Sequence, residues 1–254
     1  ADVRDFQTEL HELGHGSLFA KLLDWEYESA VEILAAAVAN RKYGKSMDDA
    51  HKYAVSALPP GTAYVTLPNT AIEWMTCENF KLRKYMSSEE GQYQLKGSAK
   101  YIQIADILGW GVLDTFWRST NLDVEAGVNV DTSINALILR MSKAAGVDVT
   151  PLLHFWGNMP SDIASMKAAI AAANIPRSAK IYDRLVQYQS SVPANNQAFR
   201  TFAQNWWGKQ PAGDGGVTES YHAQLWGSYD QSYASLVKSN IQKIINLYFP
   251  NGRP

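Results

Sequence analysis

Apolar side chains recur along this chain at intervals of three and four residues, with few alternating stretches, so the pattern predicts helix after helix. Phe6, Leu10, Leu13, Leu18 and Leu22 fall near one such spacing and predict an amphipathic first helix. A second strongly helical run opens in the acidic segment that begins at Asp24 and reaches Tyr43 and Gly44. Ser46, with Asp49 three residues on, resembles a capping box that starts a short helix stopping at Pro59, Pro60 and Gly61. Residues 61–68 read as a short extended segment, and another helical stretch covers about residues 70–86. Ser98 to Trp117 predicts a long helix, broken or bent near Gly109 and Gly111. Asp131 to Ala145 is amphipathic and stops at Gly146; Thr150 and Pro151 read as an N-cap and first helical residue, and Ser161 begins an alanine-rich helix. Pro176, Pro193 and the Gly/Pro stretch at 208–216 punctuate the remainder. Thr218 to Tyr248 then predicts one long or two shorter helices whose aromatic stripe is a core face. The expected fold class is mainly α.

Inside the first of these helices lies His11-Glu12-Leu13-Gly14-His15, an H-E-x-x-H pentapeptide. Residues four apart on a helix stand one above the other, so the imidazoles of His11 and His15 can point at a single ion. Glu12, one position along, leans to the side where a zinc-bound water would sit, the place for a general base. A catalytic zinc takes three protein ligands and keeps one position open. The metzincin continuation needs Gly at 18 and His at 21, and Leu18 and Lys21 exclude it. Four acids compete instead: Glu28 stands first, with Glu26, Asp24 and Glu32 behind it. Glu28 and Glu32 share a helix face, so one can bind the metal while the other hydrogen-bonds a ligand from behind. Acids at a helix start also complement the helix dipole, which accounts for Asp24 and Glu26. It does not account for Glu32, which interrupts the apolar run Ala30, Val31, Ile33, Leu34.

Composition narrows the classes. At 254 residues and 46% hydrophobic content the chain can bury a sizeable core, as one large domain or two small ones. A net charge of -2, without any run of Lys and Arg interleaved with aromatics, argues against nucleic acid as a partner. One cysteine, Cys77, forbids an intrachain disulfide and reads as a buried thiol. No apolar stretch approaches the ~20 residues of a membrane span, and no signal peptide opens the chain. Tyr101, Tyr182, Tyr221, His154 and His222 are candidate donors to a developing oxyanion, each with packing as the commoner role for its type. His51, among Asp48, Asp49 and Lys52, is expected to be exposed. Trp206 and Trp207 beside Gly208 suit sugar stacking, with core packing as the commoner role.

Three further segments carry a family resemblance. Tyr101-Ile102-Gln103-Ile104-Ala105-Asp106-Ile107-Leu108-Gly109-Trp110 is similar to the Y-x-Q-L-x-x-x-F-G-W stretch of the M60 (enhancin-like, mucin-active) metallopeptidases. Val149-Thr150-Pro151-Leu152-Leu153-His154-Phe155-Trp156-Gly157 resembles their L-T-P-F-F-x-x-W-G segment, with Met159-Pro160-Ser161 at the following turn. Glu28 through Tyr43 resembles the helix that begins with the family's ligand Glu, although Glu32 falls where the family often has Asn. The likeness covers about residues 8–165 and fades beyond about 175. It implies a gluzincin: His11, His15 and Glu28 on Zn2+, Glu12 as base, and peptide bonds of secreted glycosylated or mucin-like proteins as the substrate. Secretion to the extracellular space follows from the same resemblance. The Gly-Trp and Trp-Gly segments are expected to pack rather than to touch substrate.

Zincins of this kind place a mixed sheet before the H-E-x-x-H helix, where the edge strand pairs with the substrate. The ten residues ahead of His11 are too few for it, so the chain resembles the helical, C-terminal lobe of such a peptidase. Residues 1–175 are expected to form the zinc-binding lobe and residues 176–254 a helical extension packed on it. The expected partners are a protein or glycoprotein substrate and a separate N-terminal chain of the same precursor, with no transmembrane segment. The alternative function is a non-catalytic helical subunit, descended from such a peptidase, that binds glycan or protein.

Overall fold

The computed structural model describes residues 6–17, 30–51, 67–77, 90–207 and 227–254. The described residues are mainly helical and contain no strand, as the three-and-four periodicity predicts. In chain order the helices are α1 Gln7–Ser17, α2 Ile33–Arg41, α3 Met47–His51, α4 Leu67–Cys77, α5 Glu90–Leu108 and α6 Gly111–Glu125. They continue with α7 Ile134–Ala145, α8 Thr150–Phe155, α9 Ile163–Ala172, α10 Ala179–Ser191, α11 Asn196–Trp207 and α12 Gln231–Tyr248.

The middle of the molecule is α5. Residues 97–105 are buried without a break, so this stretch has no solvent face, the mark of a helix enclosed by others. It packs against α2, α3, α4 and α6, and α1 lies on α2 at the edge of that group. Farther along the chain, α10 and α12 pack on each other and on α4 and α8, and one apolar cluster runs from Ala30 to Phe249. No helix among the described residues is long and apolar enough to cross a membrane.

Polar side chains start the helices. The Ser133 hydroxyl accepts the backbone N–H of Ala136 at α7, and the Asp230 carboxylate accepts that of Tyr233 at 2.8 Å at α12. At α3, Ser46 Oγ accepts the Asp49 N–H at 3.1 Å and donates to the Asp49 carboxylate at 3.0 Å. That is half a capping box, because Asp49 takes the hydroxyl rather than the Ser46 backbone N–H. Two starts are held one or two residues away from their expected caps. Asp148, not Thr150, holds the start of α8, accepting the Thr150 N–H at 2.9 Å. Asp162, not Ser161, caps α9 through the N–H groups of Ala164 and Ser165, while the Ser161 N–H goes to Asn135. In both places a nearby carboxylate takes backbone N–H groups at the helix start.

The break between α5 and α6 is where the glycines predict it. Gly109 has φ +92, a backbone state that side-chain-bearing residues rarely adopt, and its N–H closes α5 on Ala105 at 2.8 Å. Beyond it, Trp110 donates its indole N–H to Asn40 at 2.8 Å and ties the turn to α2.

Several expectations fall wholly or partly on undescribed residues: Leu18 and Leu22 of the first helix, the opening of the second at 24–29, the helix end near Pro59, residues 61–66 of the extended segment, the helix beyond Cys77 and residues 208–226. Leu67 and Pro68, expected to end the extended segment, open α4 instead. Two others are corrected. Phe6 and Leu13 are exposed on α1, and the face it turns inward carries Leu10 and Gly14. His51 is not exposed: it is fully buried, with Nε2 at 3.0 Å from Thr70 Oγ1 of α4, and burial pushes its pKa down to about 3. Asp48 turns toward α4 as well, where its carboxylate accepts the backbone N–H of Leu67 at 3.3 Å.

Candidate metal centre

The arrangement at α1 begins with helical geometry and ends with a tautomer. His11 and His15, one turn apart, bring their Nε2 atoms to 3.1 Å of each other, with the rings nearly perpendicular at 82°. Two nitrogens on one tetrahedral zinc at 2.0–2.1 Å stand about 3.3 Å apart, so the spacing fits a shared ion. Behind His11, its Nδ1 lies 2.8 Å from Oε1 of Glu32, whose side chain is completely buried. An ionised carboxylate only accepts, so Nδ1 carries the hydrogen and the Nε2 lone pair is left facing His15. A carboxylate behind a histidine is the arrangement that orients metal-bound imidazoles.

The same geometry gives Glu32 its role among the four competing acids. It sits on the Nδ1 side of His11, the wrong side of the ring to share an ion with the two Nε2 atoms. Among the described residues no three His, Cys, Asp or Glu side chains form a complete ligand set. Glu28, the expected third ligand, lies outside the described residues, as do Asp24 and Glu26. Glu12 is exposed on α1, one residue from the first histidine. The histidine pair with its buried carboxylate therefore fits two-thirds of a His2Glu zinc set.

The end of α1 is held by α6. Asn121 donates its side-chain amide to the Ser17 carbonyl at 2.7 Å, satisfying one of the acceptors that a helix end leaves open. Beside this contact a cleft of about 450 Å³ opens between α1, α2 and α6, walled by Ile33, Leu34, Trp110 and Trp117 with Asp114 and Arg118 at its rim.

The aromatic segments form the framework behind the centre. Gln103 of α5 accepts from Trp156 Nε1 at 3.1 Å and from the Tyr188 hydroxyl at 2.5 Å, and burial pushes the Tyr188 pKa up to about 12, which keeps that hydroxyl a donor. Trp74 donates to the Phe155 carbonyl at 2.6 Å. Trp156 is fully buried, so the Trp-Gly segment packs, as expected. The Gly-Trp segment differs: Trp110 is half-buried, bonded through its indole N–H to Asn40 while its side chain also walls the cleft.

Three of the oxyanion candidates have packing partners. Tyr101 is buried with its ring 5.1 Å from Trp117, Tyr182 meets Phe249 edge-on at 5.3 Å, and His154 Nδ1 lies 2.9 Å from the Tyr248 hydroxyl. Tyr221 and His222 lie outside the described residues, as do the side chains of Cys77, Trp206 and Trp207. Sequence reading missed Gln103 as a junction between distant helices, since its partners stand 53 and 85 residues away.

No protein-family model, curated protein or solved structure matches this chain.

Proposed function

We propose that the chain is the zinc-binding, catalytic part of a metallopeptidase that hydrolyses peptide bonds in glycosylated proteins. The observation that carries the reading is the convergence of His11 Nε2 and His15 Nε2 at 3.1 Å, with Glu32 fixing the His11 tautomer from behind. His11 and His15 would hold the metal through Nε2, and Glu28 would complete the set. Bound there, zinc supplies a Lewis acid that polarises a carbonyl and lowers the pKa of water toward ~7. Glu12 would take the proton from the attacking water and return it to the leaving amine; its exposure on α1, next to His11 in the chain, supports that role. Glu32 keeps the His11 ring from turning. The glycoprotein class of substrate, and the secreted setting, rest on the resemblance of residues 101–110 and 149–157 to mucin-active peptidases.

The test is cleavage of a mucin-type glycoprotein by the purified chain, before and after chelation. Fragments should appear with zinc, disappear with 1,10-phenanthroline and return when zinc is restored. Persistent cleavage under chelation would contradict a metallopeptidase, and a zinc-loaded chain that cuts nothing would favour the non-catalytic binding subunit.

A further inference from the structure

Helix α1 carries two glycines, Gly14 and Gly16, two residues apart in an interior that alanine would favour on propensity. Their surroundings differ. A Cβ on Gly16 would meet nothing within 4 Å. A Cβ on Gly14 would stand 2.6 Å from Val31 Cβ and 3.0 Å from both the Cα and the carbonyl oxygen of Val31. Two of those three atoms are backbone, so relief requires one of the helices to move. Val31 directly precedes Glu32, and Gly14 directly precedes His15. This tight approach of α1 to the residues ahead of α2 is therefore bracketed by residues of the candidate metal centre.

We infer that Gly14 is a positioning residue for that centre: the absence of its side chain lets α1 lie against the Val31 backbone closely enough for His11 to reach Glu32. The inference rests on the zinc reading of the site only for its consequence in metal affinity, since the His11 to Glu32 contact is made by two side chains of the chain itself. A side chain at position 14 pushes the helices apart by the fraction of an ångström to an ångström that a 2.6 Å contact demands. A 2.8 Å hydrogen bond on the far side of the same contact does not survive such a shift in its present form.

The experiment compares Gly14→Ala with Gly16→Ala, the same substitution on the same helix into open space. In the metal-free protein, imidazole nitrogen-proton NMR reads the His11 Nδ1–H held by Glu32. That signal should be present in the parent and in Gly16→Ala, absent in Gly14→Ala, and regained in part in Gly14→Ala combined with Val31→Gly, which removes the 2.6 Å contact and leaves the two backbone contacts at 3.0 Å. Zinc affinity, measured by competition with a chromophoric chelator, should fall ~10–100-fold in Gly14→Ala and stay within twofold in Gly16→Ala, the usual range for losing an outer partner of a metal-bound histidine. A Gly14→Ala protein that keeps the His11 signal and matches Gly16→Ala would overturn the inference. A parent that shows the signal and takes up no zinc would overturn the metallopeptidase reading and leave the role of Gly14 in His11 placement standing.

Discussion

Replacing Glu12 by Gln should abolish peptide hydrolysis while leaving zinc bound. The amide keeps the size and hydrogen-bonding reach of the side chain, and it cannot accept a proton at any working pH. Proton transfer by a placed side chain contributes on the order of 10²–10⁴ in rate, so kcat should fall at least about a hundredfold. Glu12 is exposed and takes no part in the apolar cluster, so the fold should not change. Its place in the chain separates it from Glu32, which is buried and holds His11. The check is a pair of measurements on one preparation, metal content and cleavage of a glycoprotein substrate. Retained zinc with lost cleavage is the expected result; equal activity in the variant would remove Glu12 from the mechanism.

The second large effect concerns acid. His51 is neutral in the fold with a pKa of about 3, whereas in an unfolded chain it titrates near 6.5. A base whose folded pKa is depressed stabilises the fold fully above its unfolded pKa and loses that contribution as the pH falls, because the unfolded state then binds a proton that the folded state refuses. The loss runs from about pH 6.5 down to about pH 3, at about 1.4 kcal/mol per pH unit. Between pH 7 and pH 4.5 that amounts to roughly 3 kcal/mol, a large share of the 5–15 kcal/mol typical of a folded domain. Glutamine at position 51 keeps a hydrogen-bonding group beside Thr70 and has nothing to titrate. Denaturant unfolding at the two pH values should therefore show a steep acid loss in the parent and a shallower one in His51→Gln. An identical pH dependence would mean that His51 is protonated or solvated in the fold.

That histidine also shows where sequence reading stops. Periodicity and local chemistry made the helices legible: the three-and-four spacing, Ser133 and Gly146 around α7, and the Gly109 break between α5 and α6 all report on neighbours within a turn or two. His51 stands among acids in the sequence, and the fact that matters is Thr70, 19 residues on, across a helix-helix contact that no local pattern encodes. The same limit applies to α1. Its apolar spacing marks a helix correctly, yet Phe6 and Leu13 face solvent and the residue that lies against Val31, just ahead of α2, has no side chain at all. Hydrophobic patterning finds faces with something to bury and is blind to a close approach made by glycine. At the metal centre, the histidine pair was legible because one turn of helix fixes it. Glu32 left a signal too, a carboxylate inside an apolar run, and the structure shows the burial that such a position implies together with the partner that makes it tolerable.

The arrangement also separates two jobs for acidic residues that sequence alone leaves interchangeable. Four carboxylates between Asp24 and Glu32 compete for the metal on spacing. The one that the structure describes approaches His11 from Nδ1, where it can hold the ring but not share an ion with the two Nε2 atoms. If Glu28 holds the metal, the two glutamates divide the work, one carboxylate on the ion and one on the imidazole.

Zinc content decides the central claim. The purified parent, supplied with zinc and dialysed, should retain close to one zinc per chain by elemental analysis, and His15→Ala, which removes one of the two converging Nε2 atoms while keeping the helix, should retain almost none. A folded parent that holds no zinc, or a His15→Ala protein that holds as much as the parent, would contradict the account.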